Sequence, residues 1–444
     1  MRIAKRMAMA GIALAAVLTL LLPAGAGAAA PDKIKVGFMF GMTGAASPIG
    51  PVQLDGAKLA VKEINAAGGV MLGGKKVPVE FVVRDDESKP DIAIRRFREL
   101  LTEEKVDLIV GQTFAPISGA LNKEVKKTPV LYFPVNVVAL KMFEKAEMAP
   151  STFAPHGSAY AAGYAGAAYI VKNLGYKKIV FFGPAYAFGQ DQWAGAKDAM
   201  KKYGVTAEYL ESPVGTSDFT PYLTKVAEMK PEIVMLAHWG VDAINVLKQS
   251  YEIGLKKKTK IWFNWMTNIF GTGVPADALD GVYSLMSWYY DMTGFKDAAV
   301  VKAANDFTQK FRKEYGYPPD PYSAMAYTGT IEALRGIALA QSTDPAAVSA
   351  ALMGDTSPRA PPRCRSNRAR VGETWIGPTA CAGLTSCVAS RHCRTSKSCT
   401  ASVHERGGWD SRGHVDGFVS GSGDRVRPVL NWSFPVPLLA ETTA

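Results

Sequence analysis

Cysteine is absent from residues 31–357 of this 444-residue chain; all five, Cys364, Cys381, Cys387, Cys393 and Cys399, fall in its last segment. A body without cysteine has no disulfide staples and no thiolate metal site. Histidine is nearly as scarce there, with only His156 and His238, neither beside an evident nucleophile. The G-x-S-x-G elbow and the H-E-x-x-H zinc helix are also missing from the body. Neither catalysis nor a cofactor is expected, although turnover of a bound solute would revive the enzyme reading. Charge of one sign is lacking as well. The formal net charge is +11, but residues 1–30 carry +3, and residues 358–444 hold twelve Lys/Arg against six Asp/Glu, so the body keeps only +2. A near-neutral body argues against nucleic acid as a partner.

Only one long apolar run occurs, Met7 to Leu22, preceded by Arg2, Lys5 and Arg6 and followed by Ala26-Gly27-Ala28. It is shorter than the roughly 20 residues a membrane-spanning helix needs. This pattern predicts a cleavable signal peptide over residues 1–28 and an exported protein.

The body opens on a strand, a Gly-rich loop and a helix. Ile34, Val36, Phe38 and Phe40 sit in a nearly continuous apolar run, as in a strand covered on both faces. Gly41, Gly44, Pro48, Gly50 and Pro51 then break the period, and Leu54, Ala57, Val61 and Ile64 resume it at helical spacing before Gly68-Gly69. The loop therefore lies between a strand's carboxyl end and a helix N-terminus, where free N–H groups can face a ligand.

From Val77 onward short β-rich runs alternate with helical patterns, which predicts an α/β fold with parallel central sheets. Strands are expected at 79–83, 108–110 and 130–133, then at 178–182, 205–210, 233–237, 260–263 and 282–286. Two phosphate motifs are near misses. Gly69 to Lys76 has the glycines and lysine of a P-loop but no Ser or Thr after the lysine, and it follows a helix, so it is expected to be a turn. Gly271 to Ala276 mimics a dinucleotide fingerprint, but Pro275 makes it a connection between lobes.

The pieces Gly41-Met42-Thr43-Gly44, Gly56-Ala57-Lys58-Leu59-Ala60 and Glu63 to Gly69 carry a resemblance, as do Arg84-Asp85-Asp86, Lys105 to Gly111, Gly175 to Ile179 and Ala326-Tyr327. In this order and spacing they resemble the type I periplasmic solute-binding proteins of ABC transporters, specifically the branched-chain amino acid (leucine/isoleucine/valine) binding family. The resemblance implies two Rossmann-like lobes joined by hinge crossovers, with solute held in the cleft between them. It divides the chain into lobe 1, residues 29–152 with about 278–357, and lobe 2, residues 153–277, with hinges near 151–153 and 267–280. A periplasmic location, a small-molecule solute, an ABC membrane permease and a monomeric state follow from it. A ligand-sensing receptor module of the same fold is the alternative.

In amino-acid-binding members the ligand carboxylate is held after the third strand, a place that Ser118-Gly119 matches. Ser118 either joins the first-turn N–H groups on an anion or simply caps its helix. The ammonium is held after the fourth strand and by an acidic residue after the strand at 260–263; here those places read Asn136-Val137-Val138 and Asn264-Trp265-Met266. Without a carboxylate a buried ammonium is costly, which disfavours an α-amino acid. Phe114, Tyr186, Phe188, His238, Trp239 and Trp265 all fall on strand-end loops, so a cleft with aromatic walls is expected. An aromatic or hydrophobic carboxylate is the preferred solute, with a branched-chain or related amino acid as the alternative.

At about Ser357-Pro358 the composition changes: arginine replaces lysine, tyrosine disappears and no period persists. Residues 358–444 are expected to be a frameshifted reading, with a genuine basic tail as the alternative. Five residues separate successive cysteines from Cys381 to Cys399, with His392 nearby, but structural zinc sites pair cysteines two to four residues apart, so no metal is expected.

Overall fold

The structure, a computed structural model, describes residues 31–354 except 137, 145, 146, 287, 293, 294 and 296, and beyond them a short antiparallel pairing of Gly408–Trp409 with Val415–Asp416. The leader expected at 1–28 and the rest of 358–444 lie outside the described residues. No helix among those described is long and apolar enough to cross a membrane.

The first lobe grows from β1 (Ile34–Phe40), α1 (Gly50–Ala66), a hairpin of β2 (Val70–Leu72) and β3 (Lys75–Val77), and β4 (Val79–Asp85). It continues through α2 (Pro90–Thr102), β5 (Leu108–Gly111), α3 (Ala115–Lys127) and β6 (Leu131–Pro134). Its four main strands are parallel in the order β4-β1-β5-β6. β1 is internal, and Ile34, Val36, Phe38 and Phe40 are all fully buried, which is why that stretch carries almost no polar side chain. The near-P-loop is indeed a turn. Gly73 and Gly74 take φ of 59° and 77° between β2 and β3, a conformation that suits a two-residue hairpin.

The second lobe holds α4 (Ala159–Lys172), β7 (Ile179–Pro184), α5 (Ala187–Lys202), β8 (Ala207–Ser212), α6 (Thr220–Glu228) and β9 (Ile233–Leu236). Then come α7 (Val241–Glu252), β10 (Lys260–Asn264), α8 (Ala276–Leu279) and β11 (Tyr283–Leu285). The sheet is parallel in the order β11-β10-β9-β7-β8. The chain then returns to the first lobe with α9 (Ala298–Tyr315), α10 (Pro321–Ala340) and α11 (Pro345–Gly354). There Ala326, Ala333, Leu334 and Ile337 of α10 share a core with Leu54, Ala57 and Val61 of α1.

Ser151 and Phe153 bracket Tyr132, accepting and donating backbone hydrogen bonds of 2.9 Å, just before the chain passes to the second lobe. The return crossing lies further on than expected. β11 pairs with β10 from Trp262↔Tyr283 to Asn264↔Leu285, so residues 278–285 belong to lobe 2 and the division at 277 is corrected. Only beyond Leu285 does the chain cross, and Trp288 already packs with Leu59, Ala60 and Phe307 of lobe 1. The turns at 267–280, expected as a hinge, instead fold back on lobe 2, where Phe270, Val274 and Leu279 join the core of Val246, Leu247 and Phe263.

Candidate functional site

The carboxyl ends of both sheets face one seam. Phe114, extended at φ −105° and ψ 121°, ends the loop after β5, and α3 starts at the next residue with Pro116 in its first turn. Tyr186 and Gly240 stand in the same place before α5 and α7. None of these three helices has a side chain capping its N-terminus. Their first-turn N–H groups and positive dipole ends therefore favour an anion at the seam.

Across the seam Phe114 stacks on Trp239, with ring centroids 5.7 Å apart and planes 18° apart. Tyr186 leans on Phe114 at 5.1 Å, and Phe188 stacks on Tyr186 at 6.0 Å. Phe114, Phe188 and Trp239 are all buried, and the cluster runs without a break from Met39 and Ile117 to Phe219 and Phe263. At the edge of this wall a residual cavity of about 10 Å³ is lined by Trp265, Thr267, Met286, Pro321, Tyr322 and Met325. That is room for at most one water.

The other sequence-predicted residues are placed as follows. Ser118 is fully buried, and its hydroxyl donates to the Ala115 carbonyl at 2.7 Å, turned back on its own helix. Gly119 lies on the same helix, with open space where a side chain would be. The Asn136 amide donates to the Thr113 carbonyl at 2.6 Å and ties two strand ends together. His238 sits below the seam: Nε2 is 3.0 Å from Ser212 Oγ, and Phe182 and Phe219 meet its ring edge-on at 4.5 and 5.1 Å. Burial pushes the His238 imidazole down to about 3, so it is neutral and part of the lobe 2 core. Trp265 reaches the seam, held at an unusual φ of 60° while its N–H donates to the Leu285 carbonyl at 3.0 Å. Asn264 is spent inside lobe 2, accepting from the Trp262 indole at 2.5 Å and donating to Gln192 at 2.7 Å.

Sequence reasoning missed three seam groups. Asp320 is a buried carboxylate that caps α10 through the Tyr322 N–H at 3.0 Å and also accepts the Ile269 N–H of lobe 2 at 3.3 Å. The Asp-Pro pair at 320–321 is a legible helix start, but nothing local places it at the seam. Tyr322 is fully buried beside it, its phenol pushed up by burial and by the Asp320 charge. Gln112, fully buried at φ 69°, has an amide with no hydrogen-bond partner among the described residues.

A family model described as a periplasmic binding protein matches residues 33–373. The chain belongs to the periplasmic binding protein family. It is a type I member of the branched-chain amino acid group, an extracytoplasmic solute-binding protein of ABC transport. A Leu/Ile/Val-binding protein homologue from Brucella melitensis is 24% identical over 344 residues, covering 75% of this chain and 86% of that protein. A Rhodopseudomonas palustris ABC-transporter solute-binding protein solved with benzoate has a TM-score of 0.64 at 22% identity, covering 74% of this chain and 87% of that one. A branched-chain amino acid transporter substrate-binding protein from Streptococcus pneumoniae, solved with isoleucine, has a TM-score of 0.61 at 22% identity, covering 72% and 86%. These two likenesses show that this periplasmic binding protein shares their fold.

Proposed function

We propose that this periplasmic binding protein captures a small carboxylate with a flat or hydrophobic body between its lobes and hands it to a membrane permease. In this reading the chain is exported by a leader cleaved near residue 28 and works as a monomer. The observation that carries it is the Phe114–Trp239 stack, set directly before the uncapped N-terminus of α3. Aromatic faces from opposite lobes can part to admit a planar group, and helix N-termini alongside favour its carboxylate. The stretch Asn264-Trp265-Met266, where the resemblance calls for an acid, holds none, and the Asn264 side chain is committed to Trp262 and Gln192. The benzoate bound by the Rhodopseudomonas palustris relative has this chemistry.

A second reading rests on Asp320. Its carboxylate at the seam could hold the ammonium of a branched-chain or related amino acid, the class bound by the Streptococcus pneumoniae relative. A thermal-shift panel of aromatic acids, short aliphatic acids, amides and amino acids separates the two. Aromatic acids are expected to raise the midpoint most; a response to leucine with none to any non-amino acid would sink the first reading.

A further inference from the structure

We propose that closing of the lobes takes up a proton at Asp320, so that capture of solute is coupled to pH; the coupling to capture rests on the seam being the solute site. Asp320 belongs to lobe 1 and heads α10, yet its Oδ2 accepts the N–H of Ile269, on the segment between β10 and α8 of lobe 2, whose Phe270 also meets Tyr322 at 6.3 Å. A second carboxylate reaches the opposite way. Asp191 on α5 of lobe 2 accepts the Leu140 N–H at 2.7 Å. Leu140 precedes a segment that lobe 1 holds through Asn122, which donates to the Glu147 carbonyl at 2.6 Å and accepts the Ala149 N–H at 2.9 Å. Each carboxylate thus loses water when the lobes meet and regains it when they part.

An ordinary helix cap explains only half of this. Capping α10 requires the Tyr322 N–H; it requires neither full burial nor a bond to the other lobe. Among the described residues, the groups that act on Asp320 are Tyr322 and Ser323 of its own helix, the latter in a capping box, Tyr317 just before it, and Thr267 and the Ile269 N–H across the seam, with Tyr186 and Trp239 reaching Tyr322. His156 lies beyond, bonded to the Met325 carbonyl at 2.9 Å. None of them is a cation, and the hydrogen bonds from Tyr322, Ile269 and Thr267, which favour the ionised carboxylate, offset only part of the burial of its charge. Burial pushes the Asp320 carboxyl up to about 7 and raises that of Asp191 as well. Once water returns in the open form, the carboxyl falls to its ordinary value of about 3.9 or below, because the Tyr322 N–H still caps α10 there.

The sign follows from these two values. The closed state binds the proton more tightly, so acid favours closure. The closing equilibrium strengthens roughly tenfold per pH unit as pH falls from about 7 towards 4, and is flat above 7. Closure should then take up most of a proton at pH 6 and little at pH 8.

The test uses the full chain. Small-angle scattering without ligand is recorded between pH 8 and 5, and benzoate binding is measured by calorimetry in two buffers of different ionisation enthalpy. The radius of gyration is expected to shrink towards acid, and binding at pH 6 to take up close to one proton. Asp320→Asn keeps a helix cap but cannot ionise; it should remove most of the pH response, and Asp320→Ser serves if Asn folds poorly. A wild-type radius independent of pH, or a variant with the wild-type pH response, overturns the proposal. Benzoate failing to bind while the scattering still responds through Asp320 would overturn the solute reading and leave the proton linkage standing.

Discussion

Phe114 of the first lobe and Trp239 of the second lie face to face, 5.7 Å between centroids, and each is the last residue or nearly so before a helix whose N-terminus has no side-chain cap. An apolar surface and an anion-favouring dipole end are thereby set side by side, on bodies that can separate.

Trp239→Ala should weaken binding of benzoate at least tenfold, about 1.4 kcal/mol. The reason is the loss of one wall of the stack, since aromatic pairs contribute about 0.5–1.5 kcal/mol beyond the area they bury. Calorimetry on the purified variant measures it, and wild-type affinity would remove Trp239 from the site.

Gly240→Ala should hold the lobes apart. Gly240 has φ 63° and ψ −137°, and a Cβ there would come within 2.2 Å of the Ala45 carbonyl oxygen of lobe 1. That oxygen is backbone and cannot swing away. A larger radius of gyration at pH 6 and weaker solute binding are expected, with the circular dichroism of a folded α/β protein retained.

His238→Gln should change acid stability and leave binding alone. The folded protein keeps His238 neutral down to about pH 3, whereas the unfolded chain takes the proton below its ordinary 6.5. Wild-type stability therefore loses up to about 1.4 kcal/mol per pH unit from this residue as pH falls from 6.5 towards 3. Urea unfolding of both proteins between pH 6 and 4 should show a difference in slope of that order. Benzoate affinity changed more than twofold would instead place His238 in contact with solute.

Asn264→Asp, which puts an acid into the stretch where the resemblance calls for one, should not create a leucine site. The new carboxylate would lose the donor that now serves Gln192 Oε1 and face it as a second acceptor. A stability cost of about 1–3 kcal/mol is expected from the unsatisfied groups. Leucine affinity gained without loss of stability would show that this position reaches the solute.

The near-continuous apolar run at 34–40, the glycines that close α1 and the alternation of strands with helices were legible because each rests on neighbours in sequence. Burial of β1 on both faces needs apolar residues at almost every position, and the Gly73-Gly74 turn needs two positive φ angles; such demands are written locally. The aromatic wall was legible as residue types on strand-end loops, but not as partners.

Where a side chain ends up depended on small local shifts. With Pro116 in the first turn and helix α3 starting at Ala115, Ser118 falls at the end of that turn, and its hydroxyl bonds back to Ala115 instead of facing the seam. His238 and Trp239 are adjacent, yet one enters the lobe 2 core and the other the seam. From the sequence alone come the two parallel sheets, the helix starts at their strand ends and the aromatic residues beside them, since periodicity and turn chemistry act over a few residues. Tertiary structure alone decides that Phe114 meets Trp239, that the chain leaves lobe 2 only after Leu285, and that Asp320 closes on Ile269, because those contacts join segments whose meeting is set by how two lobes pack.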